Sequence, residues 1–440
     1  MRSYLFAGLV LAAACGGPNT PGRAPLADKW VTRAQASYKA GDFDDAKTAS
    51  ESALQAAPSD PDVRTLAARM ALVHLDFKRV LELTEGLQTA DVHGLRGRAH
   101  WYLGDVERAA DELEAALTDP NLKDPWAHDI ARLARKGHGK RPFTLEGSVV
   151  AAVEMPPAGA AMVVPCELEG EHILAMVATG SAEVVLDSNS RREPAWVDLR
   201  FGDEVRGAVE VRDVPALTRD LSALSRQLQA PIKALLGVNL LRRAHATFDR
   251  HGAQFVVRRD PPPPPPDASR VPLWYVRGGG MIMRAQVAHR DEGATTLFVD
   301  SVQAYPLALD EPAWKKAGID TKSLQVDPAS PKLKGGRIPI FTIGGVDLPE
   351  VPAYAFGPTI TDAIPPLDVD LQGVLGAGLL AFFRVTFGDE GRFVWMEPDP
   401  TLLAPPPPSR AMPPAIDAPP DEPKDAPKDK PKPKSGEGKK

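Results

Sequence analysis

The chain has 440 residues, of which 43% are hydrophobic and 25% are charged, and it carries a formal net charge of -6. This acidic balance gives no overall attraction to a phosphate backbone, so nucleic acid is excluded as a predicted partner. The 2 cysteines are too few for a disulfide framework or a zinc site, and the 9 histidines form no close ligand pair. The sequence therefore predicts neither a metal nor a cofactor.

The first residues have the pattern of a secretory signal. An apolar stretch from Tyr4 to Ala14 follows a basic residue, is too short to span a bilayer, and leads through small residues into Cys15. The order from Leu11 to Cys15 resembles the bacterial lipoprotein signal, although that family prefers its leucine one position closer to the cysteine. The resemblance implies a signal peptide over residues 1–15 and lipidation of Cys15. The chain is then expected in the bacterial envelope, anchored to a membrane by its N-terminal lipid and facing the periplasm or the cell surface; the alternative is a secreted protein with an unused thiol.

A helical region follows a short spacer. Residues 16–26 have the composition of a flexible segment, and helical periodicity then extends over residues 27–140. Three segments in this region share one turn, AGDFDDA, HLDFKRV and LGDVERA. Their aspartates Asp42, Asp76 and Asp105 are 76 - 42 = 34 and 105 - 76 = 29 residues apart. The spacing predicts stacked pairs of antiparallel helices, because each pair needs the next one to bury its apolar face.

These helices resemble tetratricopeptide repeats, which recur about every 34 residues. The first copy has aromatic, small and proline residues where that family places them, namely Trp30, Ala34, Ala46, Ala53 and Pro58. The third copy keeps small or apolar residues at matching places, namely Gly97, Ala109, Leu113 and Ala116. The resemblance implies a solenoid whose concave groove binds a peptide or protein; the alternative is a spacer.

Short strand-like runs replace the helical pattern in two regions of similar length, residues 143–259 and 271–400. The segment between them, residues 260–270, contains six consecutive prolines and predicts a stiff linker. Residues 401–440 consist mostly of proline, lysine and acidic residues with almost nothing to bury, which predicts a disordered tail.

The two β regions repeat one plan. The first has HILAMVATGSAEVVLD and later Leu235-Leu236-Gly237, and the second has TTLFVDSVQAYPLAL and later Val374-Leu375-Gly376. Each ordered pair resembles a lobe of the retropepsin-like aspartic proteases, in which an apolar strand ends in Asp-Thr/Ser-Gly and a later glycine segment packs across that loop. The resemblance covers about residues 143 to 400. It implies a multidomain α + β chain, with an α-helical tetratricopeptide-like solenoid followed by two all-β aspartic-protease-like lobes.

The chemistry of that family uses two carboxylates, one from each lobe, which share a proton because like charges so close cannot both ionise. One acts as a base on water and the other as an acid on the substrate carbonyl. The matching positions here are Ala178, Thr179 and Gly180 in the first lobe and Asp300, Ser301 and Val302 in the second, with Gly237 and Gly376 as supporting glycines. Ala178 stands where the family has aspartate and Val302 where it has glycine, so half of the dyad is missing.

The sequence therefore favours a catalytically inactive scaffold over an enzyme. Its predicted ligand is an extended peptide or a protein, held in the interlobe cleft or in the helical-repeat groove. If the chain is active, the resemblance implies an aspartic endopeptidase that uses Asp300, with a homodimer bringing two copies of Asp300 together; Val302 argues against this because a β-branched residue crowds the turn. A structural spacer is the third alternative.

Overall fold

The computed structural model describes residues 23–277, 279–288, 293–328, 330–361, 364 and 367–399. Within them a helical region is followed by a β-rich region, which confirms that part of the sequence prediction. The expected signal with Cys15, most of the expected spacer and the expected tail lie outside the described residues. None of the helices in the described ranges has the length and apolar character that a membrane span requires.

Seven helices form the helical region. They are α1 (Pro25–Lys39), α2 (Phe43–Ala56), α3 (Pro61–Val73), α4 (Phe77–Thr84), α5 (Ala90–Leu103), α6 (Val106–Ala116) and α7 (Pro125–Arg135). The repeated aspartates Asp42, Asp76 and Asp105 stand at the N-caps of α2, α4 and α6. The first two carboxylates accept hydrogen bonds from the backbone N–H groups of Asp45 and Arg79. These bonds satisfy donors that a helix start leaves free, which is why the aspartate recurs.

The residue before each of these caps has a left-handed backbone. Gly41 and Gly104 have φ values of 74° and 83°, which glycine adopts without a Cβ clash. The second copy has Leu75 at this place, with φ of 58° and a buried side chain. Leucine in that conformation costs about 1 to 2 kcal/mol, so burial of its side chain offsets local strain.

Strands dominate the rest of the chain, in a first lobe and a second lobe. Those of the first lobe are β1 (Thr144–Gly147), β2 (Val150–Glu154), β3 (Val163–Leu168), β4 (Glu171–Ala178), β5 (Val184–Asp187), β6 (Ala195–Asp203), β7 (Gly207–Arg219), β8 (Ile232–Gly237), β9 (Thr247–Asp249) and β10 (Gln254–Arg258). Those of the second lobe are β11 (Ser269–Pro272), β12 (Trp274–Val276), β13 (Gly280–Ala285), β14 (Thr295–Asp300), β15 (Leu307–Leu309), β16 (Gln325–Asp327), β17 (Ser330–Ile343), β18 (Val346–Ala355), β19 (Gly373–Gly376), β20 (Phe383–Gly388) and β21 (Phe393–Pro398).

Three sheets result. The first lobe has a seven-stranded sheet in the order β1-β7-β5-β8-β4-β3-β6, which closes on itself because β6 also pairs with β7. The second lobe has an eight-stranded sheet in the order β12-β13-β14-β19-β15-β18-β17-β16. Both lobes contribute to a six-stranded sheet, β11-β21-β20-β9-β10-β2. The lobes join in it where β9 and β20 pair antiparallel, with Phe248 opposite Val385.

The two lobes place their motif strands in the same way. β4 pairs in parallel with β8, with Ala178 opposite Gly237, and β14 pairs in parallel with β19, with Asp300 opposite Gly376. The lobes differ in the next connection. Residues 188–194 link β5 directly to β6, whereas a helix, a short 3-10 turn and β16 lie between β15 and β17.

Two details differ from the sequence expectation. The lobes are not purely β, because short helices connect several strands: α8 (Ser222–Leu228), α9 (Val238–Arg243), α10 (Glu311–Lys316), α11 (Pro358–Thr361) and α12 (Ala377–Leu380). Leu241 of α9 and Leu380 of α12 bury their side chains, which fixes these turns to the core. The expected linker over 260–270 ends early, since β11 starts at Ser269 and pairs with β21. Val271 of that strand is buried, and this burial draws the chain into the sheet.

Apolar contacts tie the helices to both lobes. The largest core cluster includes side chains of α3 to α7 together with strands of both lobes. A second cluster combines α1 to α3 with strands β12, β13, β14, β15 and β19 of the second lobe. In it Phe43 of α2 lies against Trp274 of β12, with ring centroids 5.9 Å apart. The helical region is therefore packed against the sheets.

Candidate functional site

The two motif loops, which follow β4 and β14, lie against each other and exchange hydrogen bonds. The backbone N–H of Thr179 donates to Ser301 Oγ at 3.0 Å, and the backbone N–H of Ser301 donates to Thr179 Oγ1 at 2.9 Å. Thr179 Oγ1 donates to the carbonyl oxygen of Val299 at 3.0 Å, and Ser301 Oγ donates to that of Val177 at 2.7 Å. Because each bond has a counterpart in the other direction, the loops are related by an approximate two-fold axis.

Asp300 is held firmly at this contact. Its side chain is buried, with the residue only 8% exposed. The backbone N–H of Val302 donates to Oδ1 at 3.1 Å, and Gln303 Nε2 donates to Oδ2 at 3.0 Å. A Cβ on Gly180 would lie 2.7 Å from Oδ1, so glycine is required there for the carboxyl to fit. Asp300 of one lobe thus faces Gly180 of the other.

Burial raises the pKa of Asp300 above its usual value, and the hydrogen bonds from Gln303 and Val302 offset only part of this effect. The matching position of the first lobe, Ala178, has no carboxyl. A single carboxyl here has no second one with which to share a proton, and it does not supply an acid and a base together. The described site therefore lacks the chemistry of a carboxylate pair.

Ala178 lies in an apolar cluster instead of a polar one. The cluster is made of Ala161, Val163, Met176, Ala178, Val185, Leu221, Ile232 and Leu235, and Val302 packs against it from the second lobe. Under the two-fold relation Gly180 corresponds to Val302, and Asp300 corresponds to Ala178. Val302 packs against the apolar cluster that contains Ala178, whereas its counterpart Gly180 lies against the Asp300 carboxyl. The two departures from the aspartic-protease pattern are spatial neighbours.

The later glycines pack across the loops in both lobes. A Cβ on Gly237 would lie 2.1 Å from the carbonyl oxygen of Glu183, and one on Gly376 would lie 2.0 Å from that of Tyr305. Glu183 and Tyr305 each stand five residues after the first motif residue, so the two contacts are equivalent. No side chain fits at either glycine, which explains why the residue type recurs.

The sheet face that carries Asp300 is covered by the helical region. Side chains alternate along a strand, so Thr296, Phe298 and Asp300 of β14 share one face. Phe298 belongs to the apolar cluster formed with α1 to α3. Thr296 Oγ1 donates to the carbonyl oxygen of Ala40 at 3.2 Å, and a Cβ on Gly41 would lie 2.4 Å from the Thr296 side chain. The turn between α1 and α2 thus sits tightly on this face.

A buried polar junction beside the first motif loop is absent from the sequence prediction. Glu183 is 1% exposed, and its Oε1 accepts hydrogen bonds from Trp101 Nε1 and Asn239 Nδ2, both at 3.0 Å. Burial raises the pKa of Glu183, and these bonds counteract part of the rise. Arg242 Nε donates to Asn239 Oδ1 at 2.9 Å. The junction connects α5 to the first lobe; its only sequence signal is an acidic residue at the start of an apolar strand.

An open cavity of about 380 Å³ lies where the helical region meets the second lobe. Leu72 of α3 and Leu95 of α5 line it from the helices, and Arg277 and Asp368 line it from the second lobe. Tyr38 Oη donates to Asp368 Oδ1 at 2.8 Å, and this hydrogen bond links α1 to the second lobe. The sequence predicted a groove on the helices, but it gave no sign that the second lobe forms part of the wall.

The charges in this cavity are partly paired. Arg69 forms an ion pair with Asp91 at 2.9 Å, and Arg98 pairs with Asp124. Burial opposes ionisation of Asp124, but the charge and hydrogen bond of Arg98 outweigh it and hold the pKa of this carboxyl below its usual value. Arg277 lowers that pKa further. The positive charge of Arg277 therefore acts on the part of the cavity that contains Asp124.

No family model and no curated protein matches the chain. Several solved structures are similar to parts of it. Basic 7S globulin from soybean is 11% identical, with 58% of this chain and 95% of that chain covered and a TM-score of 0.37. A retropepsin-like aspartic protease from Rickettsia conorii is 19% identical over 29% of this chain and 90% of that chain, with a TM-score of 0.22. The TPR domain of Arabidopsis OM64 is 18% identical over 25% and 92%, also with a TM-score of 0.22.

Proposed function

We propose that this protein is a catalytically inactive scaffold that binds a peptide or protein, built from a tetratricopeptide-like helical region and two degenerate aspartic-protease-like lobes. The observation that carries the proposal is the burial of both motif positions, since Ala178 is 1% exposed and Asp300 is 8% exposed. Ala178 lies among apolar side chains, and the face that carries Asp300 is packed against α1 to α3. Phe298, on the same face as Asp300, is buried against these helices, and Thr296 contacts the turn between α1 and α2.

The cavity between the helical region and the second lobe supports the choice of binding site. Its volume of about 380 Å³ falls within the usual range for ligand pockets, about 300 to 1,000 Å³, and its lining mixes apolar side chains with charged groups. The interlobe cleft, the other site expected from sequence, is less favoured because Asp300 is buried. An endopeptidase formed by a homodimer through Asp300 is less favoured for the same reason, since Gly180 of the same chain already faces that carboxyl.

The test is a diverse peptide library incubated with the full chain from acidic to neutral pH, with cleavage and retention measured in the same samples. Retention of a subset of peptides without cleavage is expected. Gly94→Leu is the matched variant: Gly94 lines the cavity within α5, and a Cβ there meets only Arg98 Nη1, at 3.7 Å. This variant places a side chain in the cavity and should lose the retained peptides. Cleavage that disappears in Asp300→Asn would instead identify a protease.

We also propose that the scaffold is anchored in the bacterial envelope through a lipid on Cys15. The support is the signal-like sequence before that residue. Metabolic labelling with an alkyne-tagged fatty acid should mark the wild-type chain and leave Cys15→Ser unmarked. Release of the unlabelled variant from the membrane fraction is expected as well. Equal labelling of both chains would place a lipid elsewhere and contradict the proposal.

A further inference from the structure

The cavity between the helices and the second lobe has an uneven charge balance. Its lining contains four basic residues and three acidic ones, which are Arg69, Arg98, Lys123, Arg277, Asp91, Asp124 and Asp368. Arg69 and Arg98 are paired with Asp91 and Asp124. Asp368 accepts the hydroxyl of Tyr38. Among the described residues, neither Lys123 nor Arg277 forms an ion pair or a side-chain hydrogen bond.

The backbone of Arg277 is held by a contact with α5. It lies between β12 and β13 with φ of 52°, a left-handed conformation that is unfavourable for arginine. Its carbonyl oxygen accepts a hydrogen bond from Arg98 Nε at 3.1 Å, which ties this turn to α5. The side chain itself is exposed at the cavity. The contact with α5 thus holds an unfavourable backbone conformation at the cavity, with the charged side chain exposed there.

Two helix N-termini also line the cavity, one with an aspartate in its first turn and the other with an aspartate at its cap. Ala90 and Asp91 open α5, which has 14 residues, and Asp124 caps α7, which has 11. Both N-terminal ends line the cavity and carry partial positive charge. Apolar side chains such as Leu72 and Leu122 line the cavity together with the charged groups. A ligand that suits this surface has apolar side chains flanked by carboxylates.

We infer that the cavity binds an acidic peptide segment, and that Arg277 of the second lobe and Lys123 of the helical region both hold its Asp or Glu side chains. This inference rests on the proposed function of the cavity. It adds two points to that function. The bound peptide is acidic, and both the helical region and the second lobe contact it. A peptide held in this way stabilises the contact between the helices and the second lobe, because it binds the two surfaces only while they are together.

The experiment measures fluorescence anisotropy of three labelled peptides with the full chain. One alternates leucine with Asp and Glu, the second has Asn and Gln in the acidic positions, and the third has Lys there. The acidic peptide should bind best, and raising the salt from about 0.05 to about 0.5 M should weaken it. Arg277→Glu should weaken it about tenfold. Arg206→Glu, an exposed arginine in the β6–β7 turn of the first lobe, is the matched control and should change the affinity by less than about twofold.

Two results would overturn the inference. One is equal or better binding of the neutral or basic peptide. The other is an equal effect of Arg277→Glu and Arg206→Glu on the acidic peptide. Gly94→Leu separates either result from failure of the proposed function. If this variant abolishes binding of a neutral peptide, the cavity is a binding site whose preference is not acidic; if it changes no peptide's binding, the cavity is not the binding site.

Discussion

The two lobes have the same loop geometry with opposite substitutions. The first lobe has lost its motif carboxyl at Ala178 and keeps Gly180, whereas the second keeps Asp300 and has Val302 in place of glycine. The reciprocal hydroxyl bonds between the loops are nevertheless complete in both directions. The brace between the lobes therefore does not depend on a carboxylate pair. Val302 packs against the cluster of Ala178 on one side of the axis, and Gly180 lies against the Asp300 carboxyl on the other.

The lobes also differ in what covers their motif faces. The first lobe covers the face of Ala178 with its own elements, including Leu221 and the partly buried Leu224 of α8. The second lobe has its face covered by α1 to α3, which lie far away in sequence. Apolar contacts cover both faces. In the first lobe they come from elements of the same lobe, and in the second lobe they come from helices that are distant in sequence. Four substitution experiments test whether the two lobes are equivalent at these positions.

The largest effect is expected when the missing carboxyl is put back into the first lobe. Ala178→Asp places a carboxyl among apolar side chains and against Val302, and an unpaired buried charge costs about 3 to 5 kcal/mol. Val302→Gly in the same chain should recover most of the loss, because it opens the space that Asp300 has beside Gly180. Urea unfolding of the two single variants and the double variant measures the coupling. A stable Ala178→Asp variant would show that Val302 does not occupy this place.

The mirror experiment in the other half of the site should have a somewhat smaller effect. Gly180→Val puts a side chain onto the Asp300 carboxyl, and overpacking of this kind costs about 1 to 3 kcal/mol or more. Asp300→Ala added to it recreates the pairing that Ala178 makes with Val302. The double variant should therefore unfold at a higher urea concentration than Gly180→Val alone. Additive losses would mean that the two-fold relation does not extend to these side chains.

Removal of the hydroxyl of Thr179 or of Ser301 should lower the free energy of unfolding by about 2 kcal/mol. Either substitution leaves one buried N–H donor and one buried carbonyl acceptor without the hydroxyl partner. Thr179→Val and Ser301→Ala are the matched substitutions, and each removes one hydroxyl with two hydrogen bonds. Because the two hydroxyls make equivalent hydrogen bonds, both variants should lose the same free energy of unfolding, measured by thermal or urea unfolding. A loss confined to one of them would show that the two loops are not energetically equivalent.

The smallest effect should come from Asp300→Asn, and it should depend on pH. Because the folded-state pKa of Asp300 is raised above its ordinary value of 3.8, its contribution to stability is complete below that value and is lost as the pH rises through the folded-state pKa. Asparagine does not ionise, so the variant should gain stability relative to wild type from acidic to neutral pH. Glu204→Gln, at an exposed carboxyl, is the control and should give no such trend. A constant difference at all pH values would contradict burial of the charge.

Local patterns in the sequence predicted much of this architecture. The recurring aspartates predicted the helix pairs, because capping is a contact between neighbours in the chain. Alternating apolar runs predicted strands for the same reason. The position of α1 to α3 on the second lobe was not predictable, since it depends on contacts such as Tyr38 with Asp368. The pairing of Val302 with the cluster of Ala178 and the burial of Glu183 likewise arise only from tertiary packing.

The contact between α1 and the second lobe also bears on the order in which the chain folds. The hydroxyl of Tyr38 and the carboxylate of Asp368 are 330 residues apart, so they meet only after almost the whole described chain has been synthesised. Most contacts among the helices are local and form quickly, whereas closing so long a loop is slow. Pulse-labelling hydrogen exchange during refolding should find the amides of α1 protected later than those of α6. The first helices to leave the ribosome thus keep an apolar surface uncovered until the last lobe is complete.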